Sequence, residues 1–242
     1  MDNWLERSSL LVKEEGLKHL QQAHVLVVGL GGVGSFAAEF IARSGIGSMT
    51  IVDGDEVDNT NRNRQLPALV STVGKPKVQV MAERLLDINP ELKLEVIQEF
   101  LNPERMEEVL TSHQFDYVMD CIDSISPKIE LIVASKRNNL PLISVMGAGG
   151  KYDPTKLTIR DISNTTECLL AKTVRKRLKK LRISHGVRCV FSTETPDPTS
   201  IATTDGTNFK KSYYGTISYM PAAMGLLAAS EVIRRIIKSE KE

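Results

Sequence analysis

The sequence is short of everything that would staple, anchor or polarise it. Its three cysteines, Cys121, Cys168 and Cys189, are odd in number, far apart and form no C-x-x-C pair. That argues against a disulfide framework and against a structural tetracysteine zinc site. No apolar run reaches the ~20 residues that a membrane helix needs. The opening MDNWLERSSLLVKEEG is broken by charge, unlike a signal peptide, so a cytoplasmic chain with no membrane association is expected. Charge of neither sign dominates: the net value is +1, so any attraction to nucleic acid must come from a local patch. No internal repeat and no coiled-coil register is visible.

What is there is an ordinary globular composition, 41% apolar and 25% charged over 242 residues. That length suits one large domain or one domain with an appendage. Hydrophobic patterning predicts strands at 25–28, 49–53, 94–97, 115–119 and 142–145. They alternate with helices at 33–43, 77–86, 103–110 and 128–137, after an opening helix at 4–21. Such alternation implies an α/β, Rossmann-like fold: a mostly parallel sheet with helices on both faces. After Gly147-Ala148-Gly149-Gly150 the pattern changes to a C-terminal α+β extension. It comprises a strand at 157–162, a helix at 171–181, a polar, turn-rich stretch at 192–212 expected to be a mobile loop, and a closing helix at 222–237.

The stretch VVGLGGVG, residues 27–34, reads Gly29-x-Gly31-x-x-Gly34 directly after an apolar strand. Glycines there let the backbone approach a phosphate, and the helix starting near Val33 offers free N–H groups and a positive dipole end. Asp53, closing the next strand, is placed for a ribose hydroxyl. The fingerprint alone does not say which nucleotide is bound. Asn61, Arg64 and Lys77 follow just beyond, and a cationic cluster there suits a triphosphate better than a dinucleotide. The sequence DCID at 120–123 ends a predicted strand, where open α/β sheets bind ligands, and a carboxylate there can hold magnesium between phosphates. A nicotinamide enzyme of this length should show a second catalytic half with a proton donor, and none is found.

Taken in order, VVGLGGVGS, DGDEV, the N-x-N-R-Q of 61–65, the lysine at 77 and DCID resemble the ubiquitin-activating-like (ThiF-type) adenylating enzymes. Within them, RSGIG at 43–47, TNRNRQ at 60–65, MAERLLDINP at 81–90, DSISPK at 123–128, GAGG at 147–150 and CVFSTE at 189–194 are similar to the branch of tRNA threonylcarbamoyladenosine dehydratases. The resemblance implies a single adenylation domain over 1–242: a nucleotide-binding core at 1–150, and a substrate- and tRNA-facing extension at 151–242. It implies ATP and Mg2+. Gly29, Gly31, Gly32 and Gly34 would lie under the phosphates, Asp53 on the ribose with Asp55 close by, Asn61 and Arg64 on the phosphates with Gln65 beside them. Lys77 would be the catalytic lysine and Asp123 the metal-holding acid. It also implies a homodimer in which Arg7 crosses into the partner's site, and, from some relatives, a sulfur-relay protein partner. The implied reaction adenylates the threonyl carboxylate of the modified adenosine, after which the neighbouring carbamoyl group closes a ring. The alternative is adenylation of a ubiquitin-like sulfur carrier, which the absence of paired C-x-x-C motifs disfavours.

Two further features are weighed on their residues. Cys189, before the polar stretch, is the best candidate for any covalent role, with a buried structural cysteine as the alternative. The segment GTISYMP at 215–221 carries no cysteine, a departure from some members of that branch. Lys172, Arg175, Lys176, Lys179 and Lys180 recur on one face of the helix at 171–181, a cationic stripe suited to a phosphate backbone or simply a solvated face. Phe209, Tyr213 and Tyr214 are candidates for stacking on an unpaired base or for core packing.

Overall fold

The computed structural model describes residues 4–203 and 212–238. Seven strands form the main sheet: β1 (His24–Val28), β2 (Ser48–Val52), β3 (Lys93–Ile97), β4 (Tyr117–Asp120), β5 (Leu142–Val145), β6 (Leu157–Asp161) and β7 (Arg188–Ser192). Their spatial order is β3-β2-β1-β4-β5-β7-β6, parallel throughout except for β6, which runs antiparallel to β7. The chain winds outward one way through β1, β2 and β3, then returns to β4 and winds the other way. A crevice therefore opens beyond the carboxyl ends of β1 and β4, the topological switch point at which doubly wound sheets bind ligands.

Alternation along β1 sorts the core into two layers. Val25 and Val27 face one way, against α1 (Glu6–Gln22), α2 (Gly34–Arg43), α3 (Lys77–Ile88) and α7 (Tyr219–Ile237), through Leu20, Ile41, Met81 and Met224. Leu26 and Val28 face the other way, against α4 (Pro103–Ser112), α5 (Ile125–Arg137) and α6 (Leu169–Lys180), through Val109, Leu131 and Val174. Both faces of β1 are covered, so its sequence is a continuous apolar run and not an alternating one. Each fully buried Leu or Ile in these layers stabilises the fold by about 1.5–3 kcal/mol relative to exposure.

The five early strands and four intervening helices fall where the patterning puts them, with shifted ends. β4 begins at Tyr117, and α5 begins at Ile125, before the predicted 128. The opening helix is broken at Lys13, whose backbone lies at φ 64°. The larger departures lie beyond residue 150. β7 is an interior strand, between β5 and the edge strand β6, that the patterning did not separate from its surroundings. The polar stretch at 192–212 also holds structure: β8 (Ile201–Thr203) pairs antiparallel with β9 (Ser212–Tyr214). Asp197 N–H donates to Gly150 O at 2.8 Å, tying the stretch to the glycine turn after β5. The expectation for Phe209 lies outside the described residues. Among them, no helix is long and apolar enough to cross a membrane.

Candidate active site

The turn after β1 is built so tightly that side chains are excluded. Gly29 sits at φ +92°, and a Cβ on Gly34 would stand 1.8 Å from Gly29 O. Gly29 N–H donates to Val52 O and Cys121 N–H to Val28 O, splicing the turn to its two neighbouring strands. α2 starts here with no side-chain cap, the kind of helix start at which an anion can bind, although Ser35 N–H already donates to Gly31 O.

Asp53, expected on the ribose, is tied into the glycine turn. It is buried, its Oδ2 accepts from Leu30 N–H at 2.6 Å and its Oδ1 from Asp55 N–H at 2.8 Å. Burial pushes its pKa above the usual carboxylate value, against the Leu30 N–H bond and the charge of Lys77. Its work is to pin the glycine turn to the end of β2. The exposed carboxylate is two residues on, at Asp55, whose Oδ2 lies 2.8 Å from Lys77 Nζ. Lys77 opens α3, almost wholly buried, and its backbone N–H donates to Asp55 O.

The segment between β2 and α3 presents the next groups. Asp58 and Asn61 cap one another around a single 3-10 turn, Asp58 N–H donating to Asn61 Oδ1 at 3.2 Å. That turn presents Arg64, which is half-buried and donates to Thr60 O at 3.0 Å and Asn63 Oδ1 at 2.8 Å. Gln65 Oε1 is buried and has no hydrogen-bond partner among the described residues. Its amide lies beside Gly31, where a bound hydroxyl donor would satisfy it. Across the crevice, Asp123 follows β4 on an exposed turn and accepts from Ser124 Oγ at 3.2 Å. No group of three or more metal-ligating side chains occurs among the described residues. A single carboxylate is the donor set expected for magnesium that takes its remaining ligands from phosphates and water.

Beneath Asp123 lies a pair that sequence reasoning missed. Asp120 and Lys128 are fully buried and 2.8 Å apart, and Lys128 Nζ also donates to Ser144 Oγ and Val145 O. Only its place in DSISPK marks this lysine in the sequence, since nothing in local patterning joins position 128 to 120. Asn63 is the other omission, a link between Arg64 and the extension, through Nδ2 to Thr216 O at 3.0 Å.

Two expectations are corrected here. Cys189 lies fully buried in β7, and burial pushes its thiol well above the usual value, so the thiolate needed for a nucleophile is disfavoured. Cys121, in the turn after β4, is likewise pushed up to about 12 by burial. On α6, Lys172, Lys176, Lys179 and Lys180 are exposed as one stripe, but Arg175 turns inward. Its guanidinium donates to Thr165 O at 2.7 Å and joins the helix to the turn after β6. The Arg7 side chain stands exposed on α1.

A glycine turn and an uncapped helix start at the switch point of a doubly wound sheet define a Rossmann-like α/β domain. The chain belongs to the ThiF family, which it matches over residues 5–242. It is 42% identical over 239 residues to the tRNA threonylcarbamoyladenosine dehydratase of Bacillus subtilis (strain 168), covering 96% of this chain and 94% of that one. The crystal structure of the E. coli tRNA N6-threonylcarbamoyladenosine dehydratase in complex with ATP superposes with a TM-score of 0.86. It is 38% identical, with 98% of this chain and 96% of that one covered. The sulfur carrier protein ThiS adenylyltransferase of E. coli (strain K12) is 34% identical over only 139 residues, 57% of this chain and 55% of that one.

Proposed function

We propose that this chain is an ATP-dependent tRNA-modifying dehydratase that adenylates the threonyl carboxylate of threonylcarbamoyladenosine and lets it cyclise. One observation carries the reading: the glycine turn and the uncapped start of α2 lie at the switch point, with the Arg64 backbone against Gly32 and Lys77 paired to the exposed Asp55. The near full-length likeness to dehydratases supports the acceptor. ATP lies with its phosphates over the glycine turn and the start of α2, and with its ribose on Asp55 and the unpaired Gln65 amide. Asn61, Arg64 and Lys77 hold the phosphates. Asp123 would hold magnesium, which would supply positive charge to the phosphates.

The substrate carboxylate oxygen attacks the α-phosphorus, and the bond from that phosphorus to the bridging oxygen breaks. Lys77 and Arg64 stabilise the charge that builds on the phosphate oxygens, a preorganised electrostatic contribution in a partly enclosed site. The carbamoyl group then attacks the activated acyl carbon, its proton passes to solvent, and AMP leaves with the carboxylate oxygen. Ring closure is intramolecular, so alignment supplies much of the rate and no enzymic nucleophile is needed. That agrees with the burial of Cys189.

The second copy enters through α1. Leu11 is 82% exposed and Leu10 69%, an apolar pair too bare for solvent, beside Arg7 and Trp4. A homodimer formed on this face would carry Arg7 to its neighbour's crevice.

The test is mass spectrometry of nucleosides after incubating the protein with ATP, magnesium and threonylcarbamoylated tRNA. A product lighter by one water, absent with Lys77→Ala, is expected. Unchanged nucleosides from every tRNA, together with pyrophosphate exchange driven by a sulfur-carrier protein, would replace this reading by the carrier-activating one.

A further inference from the structure

A second concavity lies beside the crevice, with a volume of about 460 Å³. It is bounded by Asn63, Tyr152, Ser200 and residues 215–218. That volume is within the range of about 300–1,000 Å³ typical of small-molecule sites. Its walls come from four separate segments that hydrogen bonds hold in place. Gly150 N–H donates to Gly215 O at 2.8 Å, Gly215 N–H to Ser200 O at 2.7 Å, and Tyr219 Oη to Tyr152 O at 2.9 Å. Lys151 also borders it, but its ammonium donates to Glu167 O and Ser192 O, each at 2.9 Å, and so braces the wall. The remaining polar side chains are neutral: the Asn63 amide, the Tyr152 phenol and the hydroxyls of Ser200, Thr216 and Ser218. Among the described residues, neither an acid nor an arginine lines it.

Its position matters as much as its chemistry. Asn63 is the shared wall, with Oδ1 on Arg64 and Nδ2 on Thr216 O. A Cβ on Gly32 would meet Arg64 O at 3.1 Å and Pro221 at 3.2 Å, so the segment after 218 touches the glycine turn. A group in this cavity therefore lies one residue away from the phosphate-binding arginine.

We propose that this cavity receives the threonylcarbamoyl side chain of the tRNA nucleoside, with Asn63 as the positioning residue that sets Arg64 against the bound carboxylate. The proposal rests on the dehydratase reading above and adds where its substrate sits. A urea-like carbamoyl group and a hydroxyl are neutral donors and acceptors, matched by neutral amide and hydroxyl walls. The carboxylate, the one charged part, is then left facing Arg64 and the α-phosphate.

The experiment compares wild-type protein with Ser218→Trp and Asn63→Ala. It measures ATP affinity by equilibrium binding, turnover of threonylcarbamoylated tRNA, and binding of that tRNA against the same tRNA lacking the modification. Ser218 makes no side-chain cap to α7, so bulk there enters the cavity without removing a cap. Ser218→Trp is expected to raise KM for modified tRNA about tenfold and to abolish the preference over unmodified tRNA, a size of effect ordinary for a filled pocket. ATP affinity should stay within about twofold, since the phosphate contacts are untouched. Asn63→Ala should lower kcat as well, because Arg64 loses one of its two acceptors and keeps only Thr60 O. The proposal is overturned if both variants keep the wild-type KM and the wild-type preference for modified tRNA. A wild-type protein that dehydrates no tRNA would instead remove the dehydratase reading, and this inference with it.

Discussion

Two lysine–aspartate pairs in this molecule have the same length and opposite meanings. Lys128–Asp120 and Lys77–Asp55 are each 2.8 Å apart. In the first, both side chains are 0% exposed, and Ser144 and Val145 take up the remaining bonding capacity. In the second, the lysine is 5% exposed but the aspartate 54%, so a ligand in the crevice can compete for the ammonium. Distance alone would rank them equal. Surroundings decide that one holds the ends of β4 and β5 together while the other remains available for phosphate.

The comparison breaks most visibly at Lys128. Lys128→Met strands a carboxylate in the core beside β5, and a loss of about 3–5 kcal/mol in chemical denaturation is expected. Lys77→Ala should behave in the opposite sense. Turnover of ATP with modified tRNA should drop by about 10²-fold or more, as for other preorganised charge stabilisers, with a far smaller change in the denaturation midpoint. Equal stability losses in the two variants would erase the distinction.

The same contrast recurs inside α6. Removing the exposed Lys172, Lys176 and Lys179 together should weaken tRNA binding and make its salt dependence shallower. The logarithmic slope should fall by about 0.7–0.9 for each phosphate that is no longer neutralised. Arg175→Ala should leave that slope alone and cost about 1–3 kcal/mol of stability, because it removes the guanidinium that the Thr165 carbonyl accepts from. A smaller effect is expected at Asp161, an acid spent on its own chain. Burial pushes its pKa up, but bonds from Ser163, Gly186 N–H and Val187 N–H outweigh that and hold it below the usual value. Its stabilisation is therefore complete above an ordinary aspartate pKa of about 3.9 and lost as pH falls through the lower folded value. Asp161→Asn should cost about 1 kcal/mol near pH 7, and the gap to wild type should close in acid.

Legibility in the sequence follows the range of the interactions. The glycine turn and the first five strands were readable because each reports a local event: a backbone that admits no side chain, or a run buried on both faces. Asp53 and Asp55 were harder. Two acids two residues apart at a strand end have equal claim to a ribose, and only the reach of Asp53 back to Leu30 N–H separates them. β7 escaped because Val187–Phe191 is a short run interrupted by Arg188 and Cys189, which periodicity cannot tell from a loop edge. Arg175 kept the spacing of its neighbours, but its long side chain folds across to the turn at 162–165, an interaction with no trace in helical period.

By itself the sequence determined the α/β alternation, the glycine turn and the set of charged residues that follow it, because those depend on neighbours along the chain. Which of these charges faces solvent, which is sealed in the core, and which cysteine is out of reach was decided only when distant strands came together. Burial and unpaired hydrogen-bonding capacity are properties of that assembly, and they alone turn identical residue types into struts or ligands.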